Sequence, residues 1–170
     1  MSVKIWRFAS IYLTAITLSL TFSHLLEMPR KLAWGPELYR DVQHTLYLYF
    51  AIVGAPAESG AILCLAVLCF LIRRRRRSFW LTLIASICVA TGLVVWFVLV
   101  SPANHQMSQW TTPPLPETWP DTWLDTRRQW EFGHAVSAVL DLIGFGALIA
   151  SVLFDNSLEP VKTGSIRANG

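Results

Sequence analysis

The chain has 170 residues, enough for one domain, with 54% hydrophobic and only 15% charged residues. A soluble domain usually carries about a quarter charged residues, so this composition cannot cover a water-facing surface and suits a lipid-facing one. The net charge of +3 is modest, and the five consecutive arginines Arg73 to Arg77 lie between two long apolar segments, which marks them as a loop pinned by the positive-inside rule and argues against a nucleic-acid interface.

The first apolar segment runs from about 5 to 26, opened by Lys4 and Arg7 and closed by Pro29. It is too long for a signal peptide, and no small-residue cleavage motif follows, so a retained first helix is expected. A polar stretch from Arg30 to Asp41 separates it from a second segment, about 44–72. That segment exceeds the roughly 20 residues a bilayer needs and is interrupted by Gly54-Ala55-Pro56, where a kink is expected. The third segment, about 79–100, is expected to stop at Pro102. A Pro/Trp-rich loop then leads to the fourth segment, about 129–154, and a polar tail over 155–170 is expected to be disordered. The predicted fold is all-α, a single four-helix transmembrane bundle over 1–154.

Lys and Arg set the predicted orientation. With the N-terminus inside, the inner side carries Lys4, Arg7, Arg73 to Arg77, Lys162 and Arg167, nine cations against five outside (Arg30, Lys31, Arg40, Arg127, Arg128). Both termini are therefore expected in the cytoplasm, and a bacterial inner membrane is the expected location. Trp34, Trp110, Trp119, Trp123 and Trp130 collect on the outer side, as an interfacial belt or a lid on the bundle mouth. Cys64, Cys69 and Cys88 fall inside apolar segments with no disulfide or zinc spacing and read as packing residues.

The candidate site lies at the outer end. His24, His44, His105 and His134 all fall at outer helix ends. Two carboxylates lie deeper: Glu58 and Asp141 each fall roughly 20 Å above the inner boundary at 1.5 Å per residue. An ionisable group at that depth is costly and points to function, with a structural hydrogen-bonded pair as the alternative. Glu131, His134 and Asp141 share one helical stripe within a run of small residues that includes Gly133, Ser137 and Gly144, so this helix is expected to be central with its polar face inward. Glu27 and Glu131 each lie three residues from a histidine, a spacing used by di-iron carboxylate bundles. The set is incomplete: one pair is reversed and Glu58 is some 10 Å deeper. No cofactor is predicted, a metal at this His/Glu cluster being the lesser alternative; there is no glycine-rich dinucleotide fingerprint.

Three stretches carry a resemblance. They are Ser23-His24-Leu25-Leu26-Glu27-Met28-Pro29; Pro102-Ala103-Asn104 followed by Trp110; and Leu115-Pro116 followed by Arg127-Arg128-Gln129-Trp130-Glu131 and His134. In this order and spacing the chain resembles a family of small four-helix membrane proteins, largely of unknown function, that includes the anthrone oxygenases. The resemblance implies oxidation of a lipophilic aromatic compound, anthrone- or quinol-like, by O₂ without an evident cofactor. Such chemistry needs a base and a donor for the developing oxyanion. His134 is the candidate base, Glu131 or His24 its orienting partner, and Asn104 the donor. Glu27, His44, Glu58, Trp130 and Asp141 are the candidate substrate-binding residues. The family pattern often has an arginine three residues after the last-helix histidine; Ser137 stands there in this chain, leaving Arg127 or Arg128 for that role. The competing reading is a non-enzymatic carrier or accessory component binding a lipophilic ligand or a partner protein, suggested by Glu58, Asp141 and the Pro56 kink. The oligomeric state is left open.

Overall fold

A computed structural model describes residues 2–110 and 119–155, with the side chains of 119–121 excepted. The Leu115-Pro116 motif, the Trp119 side chain and the tail beyond Asp155 lie outside the described residues. Helix α1 spans Val3–Lys31, α2 Pro36–Thr45 and α3 Leu48–Ile72. Helix α4, Arg76–Val95, continues through a π-helical turn, Trp96–Val100, into α5, Ser101–Met107; α6 spans Trp119–Leu153. Four rods, Val3–Lys31, Leu48–Ile72, Arg76–Met107 and Thr122–Leu153, are long and apolar enough to cross a membrane, with mean hydropathies from 1.4 to 2.6. The protein is thus an all-α four-helix bundle of the integral membrane class.

Each rod packs on two neighbours, α1 on α3, α3 on α4, α4 on α6 and α6 on α1, which closes the ring. Large apolar side chains such as Phe8, Leu63, Phe97 and Leu153 remain outside it. That arrangement is stable where hydrocarbon replaces water and every backbone group is bonded within its own helix. Two apolar clusters fill the interior. One, at the arginine end, contains Ala61, Leu65, Leu68, Ile72, Ala85, Val89 and Leu148. The other, at the histidine end, contains Tyr39, Tyr47, Val100, Met107, Trp110 and Trp130.

Glycine sets the closeness of α4 and α6. A Cβ on Gly144 would lie 3.1 Å from Cys88 Cβ and 3.3 Å from the Ala85 carbonyl oxygen, and one on Gly133 only 2.8 Å from Val100 Cγ2. Small residues at such points let membrane helices approach closely, where dispersion is the main attraction. The opposite end is tied by charge. The buried Arg7 of α1 pairs with Asp155 just beyond α6, and Arg75 reaches the same carboxylate at 2.5 Å. Ser78 and Thr82 of α4 bond Ser151 of α6 below it.

Several helix limits differ from the sequence reading. Proline explains two of them. Helix α1 carries Pro29 inside its last turn and ends only at Lys31. Pro102 does not stop the third rod either: the turn before it widens so that the Ser101 amide bonds the Trp96 carbonyl, five residues back. This π turn relieves the clash that a proline imposes on the preceding α turn. The polar stretch after α1 contains α2, started by Gly35 and Pro36, and the fourth rod begins about ten residues earlier than its apolar pattern. Asp155, assigned to a disordered tail, is buried in the ion pairs above.

Candidate functional site

Two polar layers lie within the bundle, and one cavity joins them. The upper layer is built on the last turns of α1 and the first turns of α6. His24 and His134 are in contact, their rings tilted by 42° with centroids 4.2 Å apart. Trp130, one turn before His134, packs edge-on against both at 4.9 and 4.2 Å. Tyr47 and Phe50 close the other sides of His24. The Nδ1 atoms of both histidines are buried and without a hydrogen-bond partner among the described residues. The nearest acid to His24 is Glu27, whose Oε2 lies 3.9 Å from Nδ1.

Lys31 organises this layer, and the sequence reading had counted it only as an outer cation. Its side chain is buried, and Nζ stands 3.3 Å from Glu131 Oε1 and 3.5 Å from Glu27 Oε2. The ammonium also lies over the Trp130 ring at 4.6 Å, a cation–π distance. Tyr39 of α2 donates its phenol hydrogen to Glu131 at 3.2 Å, and Tyr47 donates to Glu27. Burial, reinforced by the Glu131 charge, holds the Tyr39 phenol far above its usual range; burial and the bond to Glu27 do the same for Tyr47. Both therefore remain hydrogen-bond donors. The i,i+4 spacing of Glu27 and Lys31 was the available sequence signal; the contribution of Glu131, a hundred residues on, had none.

These contacts give Glu131 a role apart from His134. Its carboxylate turns to Lys31 and Tyr39 rather than into the cavity. The same geometry bears on metal binding. An ammonium fills the space between Glu27 and Glu131, and among the described residues no three His, Cys, Asp or Glu side chains are grouped to hold an ion.

The lower layer is the carboxylate pair. Asp141 is fully buried; its Oδ2 accepts the Thr21 hydroxyl at 2.9 Å. Its Oδ1 and Glu58 Oε1 lie 3.5 and 3.6 Å from the point where a Gly92 Cβ would stand. The two carboxylates thus share one level, as their positions in the sequence suggested, and the glycine leaves room between them. Glu131, His134 and Asp141 are all buried, so the polar stripe of the last helix faces inward as expected.

The cavity has a volume of about 520 Å³, within the range of sites for drug-sized ligands. His24, His134, Trp130, Asn104 and the exposed His44 line its upper part, with Gln43 and Tyr47; Thr17, Thr21, Glu58 and Ser59 line its lower part. Phe50, Ala51, Ala55, Leu93, Trp96 and Phe97 form an apolar middle. Asn104 accepts the Trp130 indole N–H at 2.8 Å through Oδ1, which places the carboxamide at the edge of that ring. Glu27, Glu131 and Asp141 do not line the cavity and stand behind it. His105 is exposed and is not among the residues lining the cavity. Trp110 and Trp130 are 4% and 2% exposed, so they belong to the core rather than to a lipid-facing belt. Neither arginine suggested for an oxyanion reaches the cavity. Arg127 is buried and donates to the Lys31 and Trp34 carbonyls at the end of α1, while Arg128 is exposed beside Asp125.

Compared with known protein families, with characterised proteins and with solved structures, the chain gives no significant match.

Proposed function

We propose that the protein binds a lipophilic, hydroxylated aromatic compound, anthrone- or quinol-like, between its helices and oxidises it with O₂. The single observation that carries this reading is the pair of contacting histidines, His24 and His134, lining an otherwise largely apolar cavity beside Asn104 and Trp130. A substrate ring stacked against Trp130 would present the acidic C–H of a ring methylene to His134, the base, and its oxygen to the Asn104 amide. The substrate anion passes one electron to O₂, and the radical and superoxide combine to a peroxide. Loss of water leaves a new carbonyl, so that one oxygen atom enters the product and the other leaves as water. His24 holds the base in place, and Glu27 beyond it is the acceptor through which the proton reaches the surface. The nine-to-five cation count supports placing the arginine end and both termini on the cytoplasmic side of a bacterial inner membrane.

The test is anaerobic mixing of detergent-solubilised protein with anthrone while the absorption of its enolate anion is followed. The anion band is expected with the natural protein and not with His134→Ala. Binding of anthrone without the anion, in both proteins, would assign the cavity to a non-enzymatic ligand-binding role.

A further inference from the structure

The lower end of the cavity holds a carboxyl that no described residue hydrogen-bonds. Glu58 lines the cavity. Among the described residues its carboxyl makes no hydrogen bond. Its neighbour Asp141 stands behind the wall; its Oδ2 accepts the Thr21 hydroxyl, and its Oδ1, turned toward Glu58 across Gly92, has no hydrogen-bond partner among the described residues. A polar group left unpaired at membrane depth is costly, so the missing partner of Glu58 belongs to whatever fills the cavity.

The spacing fixes where on the ligand that partner must be. His134 and Asp141 are seven residues apart on α6, on the order of 10 Å at 1.5 Å per residue, and Glu58 is level with Asp141 across Gly92. The wall between them is apolar and aromatic, with Phe50 and Leu93. A single ring engaged by the histidines does not reach Glu58. A linear fused-ring compound does, and its far ring then meets the carboxyl. We infer that Glu58 is the specificity-determining anchor of this cavity, accepting a hydrogen bond from a hydroxyl on the ring farthest from the histidine pair. This rests on the reading of the cavity as an aromatic-ligand site and adds the length and far-end chemistry of the ligand.

The experiment compares 2-hydroxyanthraquinone, whose hydroxyl can reach Glu58 with the unsubstituted ring at the histidines, with anthraquinone, which has no hydroxyl. Binding is read from quenching of Trp96 and Trp130, both in the cavity wall. The natural protein should bind the hydroxy compound about tenfold or more tightly, the size of one buried hydrogen bond. Glu58→Ala should abolish that preference while binding anthraquinone as before, and Glu58→Gln, which keeps a carbonyl acceptor, should retain most of it. A mere loss of structure would weaken both ligands together. Equal binding of the two compounds by the natural protein, or an unchanged preference in Glu58→Ala, overturns the anchor and leaves the cavity's aromatic reading standing. Failure of either compound to bind overturns both.

Discussion

Replacing Lys31 by Met tests how the histidine end is held together. The substitution keeps an apolar stem of similar length against Trp130 and Tyr47 and removes the ammonium 3.3 Å from Glu131. Glu131 is 1% exposed, and removing one partner of a buried ion pair costs about 3–5 kcal/mol because the other charge is left uncompensated. The pair with Glu27 adds little, since that side chain is 38% exposed and a partly solvated pair is worth about 0–1 kcal/mol. Lys31→Met should therefore destabilise by about 3–5 kcal/mol, nearly all of it from the stranded carboxylate. Adding Glu131→Gln removes that charge, and Tyr39 can still bond the remaining carbonyl oxygen, so the double variant should regain more than half of the loss. The assay is unfolding in mixed micelles of rising SDS fraction, followed by far-ultraviolet circular dichroism, for the natural protein, both single variants and the double. A loss below about 1 kcal/mol in Lys31→Met, or costs that simply add in the double variant, would refute the reasoning.

Three further outcomes follow from other contacts. Asp155→Ala strands the buried Arg7 and should cost about 3–5 kcal/mol in the same unfolding assay, whereas Asp125→Ala, whose pair with Arg128 is exposed, should change nothing measurable. Gly144→Leu drives a side chain into Cys88 and the Ala85 backbone and should destabilise by about 1–3 kcal/mol, while Gly146→Leu, with no described residue within 4 Å of its Cβ position, should stay within about 0.5 kcal/mol. The tyrosines give a pH dependence. Tyr39 and Tyr47 ionise near 10 in the unfolded chain and are held above that when folded. Their contribution is fully present below pH 10 and is lost as the pH rises beyond it, because only the unfolded chain releases the protons. The expected slope is about 1.4 kcal/mol per pH unit for each tyrosine, and Tyr39→Phe should reduce it.

The four rods were legible because apolar runs of membrane length have few other destinations, and the inward stripe of the last helix because a 3.6-residue period places Glu131, His134 and Asp141 on one face. The common depth of Glu58 and Asp141 could be read by counting residues from each helix end. Other features were hidden for physical reasons. Charge counting treats every lysine outside an apolar run as solvated, yet Lys31 is enclosed by acids from two helices and two aromatic rings. Arg127 looked available for a ligand, but its Nη1 is engaged by carbonyls at the end of α1, a capping partner no local pattern announces. Pro102 read as a terminator because the sequence does not disclose a π turn that absorbs it. The amphipathic α2 was passed over as a polar linker, although Gly35, Pro36 and Glu37 form a recognisable helix start.

The central claim is that this cavity turns over an aromatic substrate with O₂ through His134. Its most direct test is incubation of the purified protein with anthrone under ¹⁸O₂ and mass analysis of the product. The account predicts anthraquinone carrying one ¹⁸O atom in its new carbonyl, formed at a rate that falls to the protein-free background with His134→Ala. Formation no faster than that background with the natural protein, or undiminished with His134→Ala, would contradict it.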